Sequence, residues 1–289
     1  MLTGIGTGVS FSRNFGTGIT PPTNPMAQAY IDALGITDPA VKTALIDFCN
    51  ALDTAGLTPL INVLYPFIGY WADPFYTPEY ANSLNLINIA TYQITWNDSI
   101  NIVFNQNGVR FDGINTFGDT GYNESSVETF GNCHRAIYDR SSDIDNGIQI
   151  GASGAGGVTQ INSIATSTGT GEYIVNCYGE DNDVNSLTGS NVSGSQGFWI
   201  SSKLSLNPAG LNVYKNLDSL NNTHSDDVGS TQPNVSTYIG GLNNNGSLSS
   251  PTSHNLALVS MGAGLDAAQA LDYYIAVQAF QTILGRKAV

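Results

Sequence analysis

The chain has 289 residues, a formal net charge of −14 and only nine lysines and arginines. Nothing in it supplies a basic stripe, which argues against a nucleic-acid backbone or an anionic membrane surface as its partner. Only 11% of residues are charged, against about 25% in an ordinary domain, so solubility rests on Asn, Ser and Thr.

Cys49, Cys133 and Cys177 are widely spaced and show no CxxC or Cys/His pattern. They read as three reduced thiols in a chain folded in a reducing cytosol. The opening Met1-Leu-Thr-Gly-Ile-Gly-Thr-Gly has no basic stretch and no apolar core, so a secretory signal is not expected. No run approaches the roughly 18 apolar residues of a membrane span. Work outside a cell would then require release by lysis, as for a virion.

Residues 1–23 are rich in Gly and Thr and end at Pro21-Pro22. Val9, Phe11, Phe15 and Ile19 are spaced along them, too few for a core of their own. The segment is either a disordered tail or an arm that orders on docking to another subunit. The arm is the reading adopted, because a solvated tail has no need of four large apolar residues. Residues 24–80 form a helical and aromatic connecting region. Asn24-Pro25 and Asp38-Pro39 each pair an N-cap with proline at the first helical position, so two short helices are expected, stopped at Gly35 and Gly56. Pro59 opens a third turn or helix over 60–64.

The stretch 67–80 carries Phe67, Tyr70, Trp71, Phe75, Tyr76 and Tyr80 between prolines. One reading is irregular chain packed over a sheet edge, since aromatics bury area wherever regular structure is absent. The other is a stacking platform for a sugar, with Tyr70, Trp71, Phe75 and Tyr76 as the contact residues.

From residue 81 to 289 a β pattern takes over. Strands are expected over 86–94, 100–104, 109–111, 117–122, 134–140, 148–150, 159–164 and 173–178, then 198–203, 211–216, 235–240 and 256–261. Turn signals are Asn107-Gly108, Asp112-Gly113, Asn146-Gly147 and Asn245-Gly246. One helix closes the chain. Asp266 is its N-cap, with Gln269 completing a capping box, and Gly285 its stop. Ala267, Ala270, Leu271, Tyr274, Val277, Phe280 and Leu284 trace its expected apolar face. The fold class is mainly β: an antiparallel two-sheet jelly-roll sandwich with a C-terminal helix and a short N-terminal helical region.

Several of these stretches together resemble a group of bacteriophage virion proteins that carry a concanavalin A-like, or laminin-G-like, jelly roll. They are Gly35-Ile-Thr-Asp-Pro-Ala-Val-Lys-Thr-Ala-Leu45, Leu64-Tyr-Pro-Phe-Ile-Gly69, Phe111-Asp-Gly-Ile-Asn115, Asn212-Val-Tyr-Lys-Asn216, Tyr238-Ile-Gly-Gly241, Met261-Gly-Ala-Gly-Leu-Asp266 and Tyr274 through Leu284-Gly-Arg286. The similarity spans 35–287, and its most specific parts are the Tyr-Pro-Phe-Ile-Gly stretch and the closing helix. It implies a virion structural role as a head fibre, capsid decoration or tail-associated protein, assembled in the bacterial cytoplasm. It also implies a homo-oligomer, for which a trimer is expected. A glycan- or receptor-binding module of such a fibre is the alternative. The first 23 residues lie outside the resemblance.

No catalytic signal of known spacing stands out in the sequence. His134, His224 and His254 are in neither a GxSxG nor an HExxH setting. No E-x-D-x-x-E carboxylate run marks a glucan hydrolase, so the expectation is that the chain is not an enzyme. Glu180, Asp181 and Asp183 offer hard oxygen ligands of the kind that suit Ca²⁺, without EF-hand spacing. A solvated acidic loop is the competing reading there. No other cofactor is expected.

Overall fold

A computed structural model describes residues 23–142, 144–154, 160–166, 172–179, 186–190, 194–204, 211–216, 218–220 and 232–288. The arm residues Val9, Phe11, Phe15 and Ile19, and the acidic residues Glu180, Asp181 and Asp183, lie outside them. The helices are α1 (Pro25–Leu34), α2 (Pro39–Thr54), α3 (Pro78–Ala81), α4 (Glu124–Val127) and α5 (Ala267–Ile283). The strands of the first half are β1 (Ile61–Tyr65), β2 (Thr95–Asn97), β3 (Val103–Asn105), β4 (Gly108–Arg110), β5 (Phe117–Asp119), β6 (Cys133–Asp139), β7 (Ile150–Gly154) and β8 (Gln160–Ala165). Those of the second half are β9 (Glu172–Gly179), β10 (Ser186–Ser190), β11 (Gly197–Lys203), β12 (Leu211–Lys215), β13 (Asp218–Ser219), β14 (Tyr238–Ile239), β15 (Leu242–Asn244), β16 (Ser247–Ser249) and β17 (Asn255–Gly262).

They form two facing sheets. The first has the order β13-β12-β11-β6-β17-β4-β3, with β1 joined to β17. The second has the order β10-β9-β8-β7-β14-β5-β2, with the β15–β16 hairpin attached to β7. Pairing is antiparallel throughout, except that β15 runs parallel to β7. The fold is therefore mainly β, a two-sheet antiparallel sandwich closed by a C-terminal helix, as the alternation predicts.

The helices add a third layer. Strand alternation sends Cys133, Ile137, Trp199 and Val259 into the space between the sheets. Their neighbours Ala136, Tyr138, Phe198, Ile200 and Leu258 point the other way, into a core shared with α1, α2 and α5. Phe48 of α2 stacks on Phe280 of α5 at 4.7 Å. The central strands β6 and β11 are thus buried on both faces. The two amphipathic N-terminal helices are too short to hold themselves together and draw their stability from this packing. Among the described residues, no helix is long and apolar enough to cross a membrane.

Three expectations fail for identifiable reasons. The segment 60–64 is not helical: Thr58–Leu60 form a 3-10 turn and Ile61–Tyr65 is β1, paired to β17. The segment 86–94 is not a strand. Asn85 accepts from Leu64 N at 2.9 Å and donates to Asn62 O at 3.1 Å, so a side-chain amide covers part of the β1 edge that a strand would take. Asn88 then accepts from Ala90 N at 3.1 Å, an Asx turn that outweighs the apolar alternation. Finally, α5 presents Ala270, Tyr273, Ala276, Val277 and Phe280 to the core, while Leu271 is exposed and Tyr274 only half-buried. The helix is apolar around most of its circumference, so spacing alone leaves its rotation open. Tyr273 decides it, donating to Ser260 Oγ of β17 at 2.7 Å.

Candidate interaction surface

From Gly69 to Asn82 the aromatic stretch is a pinned loop with most of its rings facing outward. Gly69 N donates to Asn82 Oδ1 at 3.1 Å, and a Cβ on Gly69 would sit 2.4 Å from Asn82 Nδ2, so only glycine permits the approach. Asp73 N donates to Leu34 O at 2.8 Å, tying the loop to the end of α1. Asp73 Oδ1 accepts from Phe75 N at 2.9 Å, which sets the turn. Thr77 caps α3 through Tyr80 N at 3.3 Å. Trp96 Nε1 donates to Glu79 O at 2.8 Å and holds α3 against β2. These bonds tie the loop to α1, α3 and β2 and leave its backbone little freedom.

On this frame Phe75 is 95% exposed, Tyr70 61%, Tyr80 40% and Tyr76 38%. Tyr76 and Tyr80 stack with centroids 5.4 Å apart and planes 23° from parallel. Tyr70 stands edge-on to Trp71 at 5.4 Å. Strand β3 lies beside the 3-10 turn at Gly69–Trp71 and carries the exposed Val103. Exposed rings in such number on one anchored loop make it the candidate contact surface. Their chemistry suits a flat, weakly polar partner face such as a protein surface or a pyranose ring.

Trp71 is different from its neighbours. It packs against the helical core, and the Arg286 guanidinium sits 5.8 Å from its ring. Of the contact aromatics read from the sequence, Tyr70, Phe75 and Tyr76 are exposed, and Trp71 is half-buried against the core. Tyr80 and Val103 extend the surface. Tyr80 was visible in the sequence as part of the aromatic stretch; Val103 carried no signal, since its neighbourhood is made by the fold.

The histidines among the described residues are interior. His134 donates from Nδ1 to Ala263 O at 2.6 Å. Burial pushes its ring down to about 4, despite the raising effect of that bond. His254 lies between two carboxylates, with Nδ1 2.6 Å from Asp139 Oδ2 and Nε2 3.5 Å from Asp145 Oδ1. Thr166 Oγ1 donates to Asp139 Oδ2 at 2.8 Å, and Thr252 Oγ1 and Ser253 N donate to Asp145 Oδ2 at 2.9 and 2.7 Å. Burial opposes ionisation of Asp145, but the Ser253 N–H, the His254 ring, the Gly147 N–H and the Thr252 hydroxyl together hold its carboxyl below the usual range. The His254 and Asp139 side chains are fully buried and Asp145 is half-buried, so this cluster ties the end of β6 to the loops beside it. Its members are scattered over more than a hundred positions, and no spacing in the sequence announces it. Among the described residues, no group of three or more His, Cys, Asp or Glu is placed to hold a metal ion.

No family model matches the chain, and no curated protein does. Solved structures with a similar arrangement include Trypanosoma rangeli sialidase in complex with sialic acid, at 12% identity and a TM-score of 0.48, covering 80% of this chain and 38% of that one. A mutant of the same sialidase displaying trans-sialidase activity matches at 13% identity and a TM-score of 0.47, covering 82% of this chain and 39% of the other. The CBM40 of Ruminococcus gnavus IT-sialidase matches at 12% identity and a TM-score of 0.37, covering 53% of this chain and 91% of that one. The chain spans about two fifths of the length of the Trypanosoma sialidases it overlays. These neighbours correct one expectation. The sequence reading excluded an enzyme, yet chains bearing a related arrangement of strands are sialidases, so that exclusion does not stand. Likenesses this distant carry no activity over to this chain either.

Proposed function

We propose that this chain is a structural, partner-binding component of a bacteriophage virion, a head fibre, decoration or tail-associated protein. In this reading the segment 1–23 attaches it to the particle, and the aromatic surface of Tyr70, Phe75, Tyr76 and Tyr80 meets a partner. The observation that carries it is the surface itself: exposed rings held on a loop pinned to α1, to Asn82 and to β2. Exposed apolar area on a fixed backbone is costly to keep in water unless it is covered in use. The resemblance to phage virion proteins gives the setting, and a homotrimer is the assembly proposed.

Deleting residues 1–23 is the test of attachment. The truncated chain should keep its melting temperature and be lost from purified particles, read by mass spectrometry of the virion. Normal incorporation would overturn the reading. Sedimentation equilibrium of the full chain reads the trimer.

A second reading is favoured by one detail, the stacked Tyr76–Tyr80 pair beside the almost fully exposed Phe75. Such a platform suits the apolar face of a sugar, making the chain a glycan- or receptor-binding module of a fibre. A glycan array, run with and without a calcium chelator, decides it. No binding in either condition removes this reading and leaves the first intact.

A further inference from the structure

Two thiols that are 44 positions apart in the chain meet between the sheets. Cys133 begins β6 in the first sheet, Cys177 lies near the end of β9 in the second, and their sulfurs are 3.4 Å apart. Alternation brings them there. Cys133 shares the inward face with Ile137, and Cys177 shares it with Tyr173 and Val175. Both are buried, and no disulfide joins them. Cys49 sits in the separate core beneath the helices, so it does not compete for either.

Two buried cations flank the pair, and one of them, Arg135, is paired with the buried Glu124. Antiparallel register sets Lys203 of β11 directly opposite Cys133. Arg135 follows two residues on, along the same face of β6, and both cations are buried. Burial alone would push the Cys177 thiol up. The hydrogen bond with Cys133 and the charges of Lys203 and Arg135 more than offset this and bring it below its usual value. A thiolate is the form that reacts. A disulfide needs its sulfurs about 2.05 Å apart, so the pair would close by roughly 1.4 Å, shared between two side chains. Bridges between facing sheets are an established device of β-sandwiches.

We propose that Cys133 and Cys177 are an oxidation site that forms a disulfide across the sandwich, with hydrogen peroxide as the co-reactant. The Cys177 thiolate attacks one peroxide oxygen. The O–O bond breaks, the sulfur becomes a sulfenic acid, and the hydroxide released takes back the proton that the Cys177 thiol had shed and leaves as water. The Cys133 sulfur then attacks that sulfur. The S–S bond forms, the S–O bond breaks, and a second water leaves with the remaining thiol proton. Two thiols lose two electrons, and one peroxide is reduced to two waters. Peroxide is about the size of water, which local opening of a buried site admits. The inference is independent of the proposed virion role.

The test uses the full folded chain, treated with dilute hydrogen peroxide, quenched with catalase, then unfolded in a maleimide reagent and digested. Of three thiols, one should take the label, at Cys49, and mass spectrometry should find the Cys133 and Cys177 peptides joined until dithiothreitol separates them. Cys49→Ala should lose both of its labelled sites in the same way. Cys177→Ser should keep Cys133 labelled, whereas Cys133→Ser should leave Cys177 as an unresolved sulfenic acid, unlabelled by the maleimide and trapped by dimedone. Three labelled thiols after treatment of the wild-type chain overturn the proposal. So does a linkage through Cys49 or to a second copy of the chain.

Discussion

The Arg286 guanidinium, one turn beyond the end of α5, donates to the carbonyl oxygen of Phe67 at 2.8 Å. It also donates to Pro66 O at 2.5 Å, to Ala257 O at 3.0 Å and, from Nε, to Gln281 Oε1 at 2.6 Å. The group is buried, and burial together with the nearby Arg140 charge brings it down to about 9; it stays charged at neutral pH. Phe67 stands at a φ of +43°, a strained value for a residue with a side chain. The kink it makes turns two successive carbonyls toward one planar donor. Pro66-Phe67 and Arg286 are therefore the two halves of one contact. It locks the closing helix to the segment that leads into the aromatic loop.

Replacing Arg286 should destabilise the chain more than any other single polar change at this end of the fold. Arg286→Ala leaves three backbone carbonyls without a donor in a dry site, a loss of about 3–5 kcal/mol. Arg286→Lys retains a charge but not the planar fork, and should recover less than half of that loss. Urea unfolding at pH 7 checks both. A lysine variant as stable as the wild type would show that the fork geometry does not matter.

Two aromatic residues four positions apart should behave oppositely. Phe75→Ala removes a ring that is 95% exposed, so stability should stay within about 0.5 kcal/mol. Trp71→Ala removes packing against the helical core and the face beside Arg286, and should cost about 2–4 kcal/mol. Thermal melts of the two variants give the comparison. Equal shifts would mean that the loop rearranges and that Phe75 is covered in solution.

Local chemistry was legible and tertiary chemistry was not. Asn24, Asp38 and Asp266 cap the helices expected of them, the last with the reciprocal Gln269 bond at 2.9 Å. These features depend on residues within one turn of each other. The strand at Ile61–Tyr65 depends instead on Val259, Ser260 and Met261, two hundred positions away, and a five-residue apolar run after Pro59 gives no hint of them. The surface is a mixed case. Aromatic composition marked the stretch 67–80, but not that Phe67 is fully buried and that Trp71 packs against the helical core beside Arg286. The cysteine pair was invisible for the same reason: Cys133 and Cys177 are neighbours only because β6 and β9 face each other across the sandwich. Read as three unrelated thiols, they gave no sign of it.

The buried network around Asp139 should resist even an isosteric change. Asp139 Oδ1 accepts from Ser141 N at 2.9 Å, while Oδ2 takes both Thr166 Oγ1 and His254 Nδ1. Asp139→Asn keeps one acceptor and turns the other position into a donor facing two donors. A loss of about 2–4 kcal/mol is expected at pH 7. Chemical denaturation measures it, and a change below 0.5 kcal/mol would mean that the site repacks around the amide at little cost.

The clearest pH response should come from His134. Its Nδ1–H donates to Ala263 O, so Nε2 is the acceptor, facing Ser260 Oγ at 3.4 Å, and that hydroxyl in turn takes the Tyr273 proton. This chain joins β6, β17 and α5 and requires a neutral ring. Burial lowers the folded value from 6.5 to about 4, so in between these values the unfolded chain holds a proton that the folded chain lacks. Stability is therefore unaffected above about pH 7, falls as pH drops through 6.5, and reaches its full loss, up to about 3 kcal/mol, near pH 4. His134→Gln lowers stability at pH 7, because it cannot reproduce both ring bonds, but removes this group's slope. Urea midpoints of wild type and variant at pH 7.5, 6.0 and 5.0 should converge as the pH falls. Parallel midpoints across that range would show that His134 is protonated in the folded state, and the neutral relay to Tyr273 would have to be given up.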